Sequence, residues 1–392
     1  MVLLVNQHTV PIFTDIANAF AEDGHETVLF TGHIEEGGKP LSQKIKVLRS
    51  IPYNRKSSIS RLLTWMIFSF HYFFFLLWCR KPSRIIVVTN PPIAPLVTSM
   101  VSRWRRIPFY VVLYDLYPEA LVQASLLKAN AFLYKVWQRQ NGKMFRNAEK
   151  IFTLSESMKA ASMVYSKDDP EKISVIHNWA DTTYIKPVPK SENAFVKWYG
   201  LENKTVILYA GNMGLTHDLE SLIGAAEILQ SVEDLIFLFI GDGGKRRALE
   251  ELKKVKSLRN ILFLPYQDEK NFPLAMAAAD IGVVTLGRGA EGISVPSKTY
   301  INFAAGVCLL AIAPGSSELS RLVLGHQAGL VCEPGDSSKV AAAIKLLLES
   351  PIKVNTYKQN ALKASALYTP ENSKQYIRKV MEGMTNPNYP LL

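Results

Sequence analysis

Three loop segments in the C-terminal half carry the residue types of a phosphate-binding site. They are Gly211-Asn212-Met213-Gly214, Gly241-Asp242-Gly243-Gly244-Lys245 and the segment from Glu291 to Lys298. Each follows an apolar run of strand length and precedes a helical pattern. Glycines let a ligand approach the backbone, and the N–H groups at the start of the next helix attract an anion. We expect phosphate binding here, although a tight strand-to-helix turn would also explain the first glycine pair.

The segment from Glu291 to Lys298 is the most specific of the three. Pro296 suits the first position of a helix, so the N–H groups near Ser297 and Lys298 would point out of the helix start. With the Lys298 ammonium and the Ser297 hydroxyl they would form a diphosphate receptor. Glu291 would accept hydrogen bonds from sugar hydroxyls. The alternative is an ordinary helix start with a lysine and a glutamate on its surface.

Lys245 is expected to neutralise a leaving diphosphate, with a solvated first-turn lysine as the alternative. The Walker spacing is absent from its loop, which excludes a P-loop. Neither glycine turn has the G-x-G-x-x-G spacing with an acid about 20 residues further on, which argues against a dehydrogenase.

Asp115 is the candidate catalytic residue of the N-terminal half. It follows an apolar strand candidate and could orient or deprotonate a substrate hydroxyl. The alternative is that Asp115 caps a turn and that Glu119 complements the dipole of a helix beginning near Pro118. The histidines lack metal-ligand spacing, the cysteines form no C-x-x-C, and no Asp-x-Asp pair occurs. We therefore predict a metal-independent protein.

These segments must be positioned by strands that alternate with helix-length stretches, the pattern of βαβ units and parallel sheets. The pattern runs from Val2 to Ile176, restarts at Val206, and is interrupted by a proline-rich, polar stretch, Thr182–Asn193, interpreted as a linker. We predict an α/β chain of two Rossmann-like, doubly wound domains facing a cleft. The expected bounds are 1–185, 195–368, and 369–392 for a C-terminal helix crossing back to the first domain.

Positive charge is concentrated in one stretch. Ile51–Arg146 holds fourteen Lys or Arg and two acids, so its excess alone exceeds the formal net charge of +11. The stretch includes Leu62–Cys79, eighteen residues with no Asp, Glu, Lys or Arg. Aromatic and aliphatic side chains flanked by basic residues favour a helix lying on an anionic membrane surface rather than a nucleic-acid partner. A wholly buried core helix and a membrane-spanning helix are the alternatives.

The C-terminal half resembles the retaining family-4 glycosyltransferases of the GT-B fold, particularly the bacterial polysaccharide group similar to the fucosamine transferases. The residues that carry the resemblance are Tyr209-Ala210-Gly211-Asn212-x-Gly214, Gly241-Asp242-Gly243, Ala278-Ala279-Asp280, Val295-Pro296-Ser297-Lys298-x-Tyr300, Ala304-Ala305-Gly306, Gly329-Leu330-Val331 and Pro334-Gly335-Asp336. The N-terminal half matches more loosely, through Asn90-Pro91-Pro92, Tyr114–Glu119 and Thr153–Ser157.

Two positions depart from the family pattern. Much of the family has two glutamates separated by seven residues; Glu291 fits the first, and the second falls on Thr299. The basic pair that often follows the first glycine turn is replaced by Thr216-His217-Asp218, so the phosphate charge would fall on Lys245 and Lys298.

The resemblance implies transfer of a sugar, with retention, from a nucleotide-sugar donor to a polyprenyl-linked glycan acceptor during surface polysaccharide assembly. The donor would bind Gly211, Asn212, Gly214, Gly241, Gly243, Lys245, Glu291, Ser297 and Lys298, with Asp115, Glu291 and Lys245 serving catalysis. No cofactor or metal is expected, since the nucleotide-sugar is the co-substrate. The protein would work on the cytoplasmic face of the membrane. A nucleotide-sugar epimerase on the same fold and a non-catalytic membrane-bound scaffold are the alternatives.

Overall fold

The computed structural model describes residues 1–35, 37–54, 57–166, 169–214, 216–293 and 295–382. Arg55 and Lys56 of the basic stretch, Leu215 and Ser294 beside the glycine-rich loops, and 383–392 of the C-terminal segment lie outside these ranges. The chain divides into two compact units. Unit 1 comprises Met1–Asn178, Gly292–Ser294 and the chain from Pro370, and unit 2 comprises Trp179–Glu291 and Val295–Thr369.

Unit 1 is built on a parallel sheet of short, buried strands. Its strands are β1 (Val2–Val5), β2 (His8–Thr9), β3 (Thr27–Thr31), β4 (His33–Ile34), β5 (Lys46–Arg49), β6 (Arg84–Val88), β7 (Phe109–Val112), β8 (Lys150–Thr153) and β9 (Ile173–Val175). Seven of these pair in the order β5-β3-β1-β6-β7-β8-β9, and β2 pairs separately with β4. The order reverses between β1 and β6, which is where ligands bind in such sheets.

The helices of unit 1 connect these strands. They are α1 (Pro11–Glu22), α2 (Ser58–Trp78), α3 (Ala94–Arg105), α4 (Glu119–Gln123), α5 (Phe132–Asn147) and α6 (Glu156–Ser162), with 3₁₀ turns at Met163–Tyr165 and Pro170–Lys172.

Helix α2 has one buried and one exposed apolar face. A stripe containing Phe68, Tyr72 and Leu76 is fully buried. Phe68 packs edge-on against Phe30 of β3 at 5.2 Å between ring centroids, and the Tyr72 hydroxyl lies 2.8 Å from the Thr98 hydroxyl of α3. The other stripe exposes large apolar side chains, namely Ile59, Leu62, Leu63, Met66, Ile67, Phe70, Phe74 and Trp78. By length and composition alone, the helix could cross a membrane. Because one of its faces is exposed, it is not the wholly buried core helix considered above.

Unit 2 repeats the architecture. Its elements are α7 (Ala194–Trp198), β10 (Thr205–Ala210), α8 (Glu220–Ile228), β11 (Leu235–Ile240), α9 (Arg246–Val255), β12 (Ile261–Leu264), α10 (Phe272–Ala277), β13 (Ile281–Thr285), α11 (Lys298–Ala304), β14 (Cys308–Ile312), α12 (Glu318–Gly325), β15 (Gly329–Cys332), α13 (Ser337–Leu348) and α14 (Pro351–Ser365). The sheet is parallel, in the order β12-β11-β10-β13-β14-β15. Alternate residues of β10 enter different hydrophobic clusters, Leu208 one and Ile207 with Tyr209 the other. The sheet is therefore covered on both faces, as doubly wound folds require.

The last helix among the described residues belongs to unit 1. After a 3₁₀ turn at Pro370–Asn372, α15 (Ser373–Glu382) packs on α1. The Tyr110 hydroxyl of β7 donates to the Val380 carbonyl at 2.9 Å, and Tyr376 packs edge-on against Phe152.

The parallel, doubly wound architecture expected from the sequence is confirmed. Strand β15 was not predicted. It is short and begins at Gly329, where a Cβ would lie 1.8 Å from the Leu309 carbonyl oxygen. The expected linker, Thr182–Asn193, lies within unit 2 because Ala180 and Ile185 pack in that unit's core.

Candidate active site

The candidate site of unit 2 lies where its strand order reverses, between β10 and β13. The glycine loops after β10 and β11 and the loop after β13 all leave the carboxyl edge of the sheet. Met213 donates its N–H to the Asp242 carbonyl at 2.7 Å, and Gly287 donates to the Thr216 carbonyl at 2.7 Å. Hydrogen bonds therefore join three loops that are far apart in sequence, at the position where doubly wound sheets bind ligands.

Two glycines are required for this close packing. Gly241 has a φ of +131°, and a Cβ there would lie 2.1 Å from the Gly211 carbonyl oxygen. Gly211 has a φ of +117°, and a Cβ there would lie 2.7 Å from Cε of Lys298. Only glycine adopts such dihedral angles without strain. These glycines bring the first two loops together and admit the lysine side chain between them.

Lys298 reaches back from the first residue of α11 to the end of β10. Its Nζ donates to the Tyr209 hydroxyl at 2.5 Å and to the Asn212 carbonyl at 3.2 Å, and lies 4.0 Å from the centroid of the Tyr209 ring. No carboxylate among the described residues forms an ion pair with it. Burial lowers the pKa of Lys298 to about 7. A desolvated cation with only neutral partners is a favourable site for an anion.

His217 adjoins the same group. Its Nδ1 lies 2.9 Å from the Tyr209 hydroxyl and 2.9 Å from the Asn212 carbonyl, and the Gly214 N–H approaches it at 3.3 Å. Burial, followed by the charge of Lys298, lowers the pKa of His217 to about 3. The ring is therefore neutral at physiological pH, and it organises the loop rather than adding positive charge.

Several backbone N–H groups of the loops are available to a ligand. Those of Asn212, Gly244, Ser297 and Lys298 have no acceptor among the residues that the structure describes. Helix α11 begins at Lys298, with Ser297 as N-cap, so the expectation that Pro296 opens the helix is wrong by two residues. Thr299 and Tyr300 turn their N–H groups back onto the Pro296 and Ser297 carbonyls. Ser297 and Lys298 nevertheless keep the free N–H groups expected from the sequence.

Lys245 is held differently from the expectation of a free cation. Its Nζ donates to the His217 carbonyl at 2.6 Å and forms a 2.8 Å ion pair with Glu220, whose side chain is about half exposed. Glu220 is the first residue of helix α8. Lys245 thus lies beside the loop after β10, but it shares its charge with an acid.

Glu291 and Thr299 occupy the two positions of the family's glutamate pair. Glu291 lies in a turn, partly exposed, and no hydrogen bond or ion pair joins its side chain to another described residue. Thr299 is fully buried, and its hydroxyl donates to the Pro296 carbonyl at 3.0 Å. Thr299 therefore supports the start of α11 and presents no group to a ligand.

The acids of unit 1 follow β7. The Thr89 hydroxyl contacts the backbone of Asp115, donating to its carbonyl at 3.1 Å, and Asp115 lies partly exposed at the carboxyl edge of the sheet. Glu119 stands in the first turn of α4, and its Oε1 accepts a 2.5 Å hydrogen bond from the Tyr165 hydroxyl. Asp115 thus lies at the edge of the sheet where ligands bind, whereas Glu119 joins α4 to the turn after α6.

Sequence reasoning missed Tyr209 as a site residue. Its buried hydroxyl donates to the Asn212 carbonyl at 2.6 Å while accepting from Lys298. The sequence signal was a tyrosine at the last position but one of a buried apolar strand, immediately before the glycine turn. Among the described residues, no group of three or more His, Cys, Asp or Glu could hold a metal ion.

Comparisons with known proteins agree with this architecture. Residues 10–179 match the family model "Glycosyl transferase 4-like domain", and residues 191–364 match "Glycosyl transferases group 1". The chain is 30% identical over 275 residues to a probable glycosyltransferase, WbjE, of Pseudomonas aeruginosa, covering 69% of this chain and 67% of that protein. It is 31% identical over 213 residues to a putative colanic acid biosynthesis glycosyl transferase, WcaI, of Escherichia coli, covering 54% and 52%.

Solved structures share the fold over nearly the whole chain. Anabaena Alr3699/HepE in complex with UDP and glucose has a TM-score of 0.71 and 18% identity, covering 97% of this chain and 99% of that one. WaaG, a glycosyltransferase involved in lipopolysaccharide biosynthesis, has a TM-score of 0.70 and 16% identity, covering 96% and 99%. At these identities the likeness concerns the fold alone.

Proposed function

The chain belongs to the GT-B glycosyltransferases in which a glycosyl transferase 4-like domain precedes a group 1 domain, and we propose that it transfers a sugar, with retention, from a nucleotide-sugar to a polyprenyl-linked glycan. The proposed setting is surface polysaccharide assembly on the cytoplasmic face of the membrane. It agrees with the name of the similar E. coli protein, a putative colanic acid biosynthesis glycosyl transferase.

The observation that carries the proposal is Lys298 among the glycine loops of unit 2. The donor's diphosphate would accept hydrogen bonds from the Lys298 ammonium and from the free N–H groups of Asn212, Gly244 and Ser297. These donors are fixed before the ligand arrives, because the loops are already hydrogen-bonded to one another. Donors placed in advance stabilise charge that develops on a leaving group without reorganisation cost.

Retention would follow a reaction on one face of the sugar, in which the leaving phosphate helps to take the acceptor proton. In this scheme Glu291 binds the donor sugar's hydroxyls, and Asp115 orients the acceptor hydroxyl, whose proton passes to the leaving phosphate. Lys245 adds charge beside the diphosphate when the ligand competes with Glu220 for it. The anomeric configuration of the product, read by NMR, tests this scheme, and inversion would contradict it.

The direct test of transfer uses UDP-, GDP- and dTDP-sugars carrying a radioactive sugar, together with membranes from cells that lack this protein. We expect label to enter the chloroform–methanol extract with wild-type protein. Lys298→Met and Glu291→Ala should abolish at least nine-tenths of transfer, since each removes a contact worth roughly 1.5–3 kcal/mol. Lys353→Met, on the exposed α14, is the matched control. Undiminished transfer by Lys298→Met would contradict the assignment.

A membrane surface is the proposed location, and the exposed layer formed by α2, α3 and α5 supports it. These helices pack side by side. Besides the apolar stripe of α2, α3 exposes Met100 and Trp104, and α5 exposes Phe132 and Leu133. Basic side chains accompany them, with Arg139, Lys143 and Arg146 lining one depression on α5. Apolar side chains beside cations fit the boundary between acyl chains and anionic headgroups.

Flotation with vesicles tests this location. We expect binding to anionic vesicles, weaker binding to zwitterionic ones, and loss at high salt. Phe70, 61% exposed on α2, would insert into the lipid, so Phe70→Ser should weaken binding about ten-fold or more, because burying a phenylalanine contributes roughly 1.5–3 kcal/mol. Ile352→Ser is the control, since Ile352 is 86% exposed on α14 of the other unit. Equal loss in both variants would contradict the α2 face.

An epimerase on the same fold is not favoured, because the similar proteins are named as glycosyltransferases. A non-catalytic scaffold would retain its cellular role when Lys298 and Glu291 are replaced, an outcome that the transfer assay and genetic complementation would reveal together.

A further inference from the structure

Tyr209 contacts both the glycine turn after β10 and the start of α11. It is the last residue but one of β10, and its side chain is fully buried in the cluster that also contains Ile207. A single hydrogen-bond partner is enough to satisfy a buried phenol. The hydroxyl lies 2.5 Å from Lys298 Nζ, 2.6 Å from the Asn212 carbonyl and 2.9 Å from His217 Nδ1. It therefore has more partners than its own burial requires.

The ammonium of Lys298, the hydroxyl of Tyr209 and the carbonyl of Asn212 form a closed triangle of hydrogen bonds. Lys298 donates to both oxygens, and the hydroxyl donates to the carbonyl. Since an ammonium carries three N–H groups, the triangle uses two of them. The third has no acceptor among the residues that the structure describes. Lys298 is partly exposed, so a ligand can supply that acceptor.

The side chain of Lys298 is confined on two further sides. Its Cε passes Gly211 so closely that a Cβ on the glycine would lie 2.7 Å away. Its Nζ lies 4.0 Å from the centroid of the Tyr209 ring, and the face of an aromatic ring attracts a cation. The ring and the hydroxyl of Tyr209 therefore act on the same ammonium. They restrict a group that is otherwise mobile on its flexible four-carbon stem.

Among the described residues, no charged side chain competes with Tyr209 for this ammonium. The adjoining ring of His217 is neutral, because burial lowers its pKa to about 3. Lys245 donates to the backbone of His217 and is paired with Glu220. No carboxylate of the described part of the chain pairs with Lys298. Tyr209 is therefore the side chain that holds Lys298 in place.

We propose that Tyr209 is a positioning residue of the donor site, which holds the Lys298 ammonium with one N–H left for the leaving phosphate. This inference rests on the proposed transfer from a nucleotide-sugar. The phosphate gains negative charge as its bond to the sugar breaks, and a cation already in place stabilises that charge without reorganisation cost. Without the hydroxyl, Lys298 would keep only the Asn212 carbonyl as a described hydrogen-bond acceptor and could turn away from the phosphate.

A double-mutant cycle on the full chain tests this role, because Tyr209 acts through Lys298. The probe is the nucleotide-sugar that gives the largest thermal shift, and calorimetry at pH 6 measures its affinity. Tyr209→Phe keeps the ring and removes the hydroxyl. It should weaken binding about three- to ten-fold, the cost of immobilising one flexible side chain when the ligand binds. In the Lys298→Met background the same replacement should change the affinity by about two-fold or less.

The pH dependence of donor binding gives a second readout. The hydroxyl accepts a hydrogen bond from the charged form of Lys298, so its loss lowers the pKa of Lys298 further below the wild-type value of about 7. In Tyr209→Phe, the pH at which donor binding is half lost should move down by about one unit. Tyr368→Phe is the matched control, since it removes a phenol hydroxyl 2.9 Å from His326 Nε2. It should leave the affinity and its pH dependence unchanged.

Contrary outcomes are distinct. The role of Tyr209 is refuted if Tyr209→Phe binds the donor like the wild type. It is also refuted if the replacement weakens binding equally with and without Lys298, as a packing defect would. If Lys298→Met weakens binding and Tyr209→Phe does not, the donor site stands and the role of Tyr209 alone fails. A wild-type protein that binds no nucleotide-sugar would overturn both.

Discussion

We expect the protonation of Lys298 to make donor binding dependent on pH in a range where few other side chains titrate. Burial lowers its pKa to about 7, whereas a diphosphate oxygen needs the charged ammonium. With that pKa, roughly 90% of Lys298 is charged at pH 6 and roughly 10% at pH 8. Binding that requires the charged form should therefore weaken about ten-fold from pH 6 to pH 8. His217, with a pKa of about 3, stays neutral throughout this range.

The assay is calorimetric titration with the nucleotide-sugar that gives the largest thermal shift. An intact nucleotide-sugar is suitable because its diphosphate is esterified at both ends and has no proton to lose in this range. Lys298→Arg should abolish the pH dependence, since a guanidinium remains charged. Lys298→Met should bind weakly at both pH values. A wild-type affinity that is the same at pH 6 and pH 8, or a ten-fold dependence that persists in Lys298→Arg, would show that the charge of Lys298 does not control donor binding.

Three further predictions concern stability. Because the pKa of His217 is lowered, the unfolded state binds more protons than the folded state between about pH 3 and pH 6.5, and stability decreases as the pH falls through this range. At pH 5 the loss is about 2 kcal/mol. Urea unfolding at pH 5 and pH 7 measures this loss, which His217→Gln should remove. Gly241→Ala should destabilise unit 2 by roughly 3 kcal/mol or more in thermal unfolding, because the residue has a positive φ and its Cβ would clash with the Gly211 carbonyl. The control is Gly325→Ala, which should be nearly neutral because the space around its Cβ is open. Thr299→Glu should lower stability by several kcal/mol by burying a carboxylate and should not tighten donor binding; a stable variant with higher donor affinity would contradict the buried role of Thr299.

The sequence predicted the fold well because apolar runs of strand length are strong local signals. Strands such as β10 and β11 are buried on both faces, so nearly every residue is apolar and their ends are sharp. Short strands with mixed composition gave no such signal. His8–Thr9 and His33–Ile34 pair only because their chains emerge from neighbouring strands of the larger sheet.

The candidate site was predicted as a set of loops, but not as a network. The glycines after β10 and β11 were identified from residue type, since only glycine permits the observed approach of Gly241 to Gly211. The partners of the lysines depend on tertiary packing, which no local pattern encodes. Lys298 was identified, but its contact with Tyr209 was not, and the pairing of Lys245 with Glu220 was not anticipated. Helix α11 begins at Lys298, two residues later than expected, because Pro296 and Ser297 form a turn before it.

The measurement that tests the central claim most directly is a crystal structure of the protein with the nucleotide-sugar chosen by thermal shift. We expect the diphosphate to lie at the start of α11, with Lys298 Nζ within hydrogen-bond distance of a phosphate oxygen. We also expect contacts from the loops after β10 and β11. A diphosphate bound elsewhere on the chain, with the Lys298 ammonium still bonded only to Tyr209 and Asn212, would contradict it.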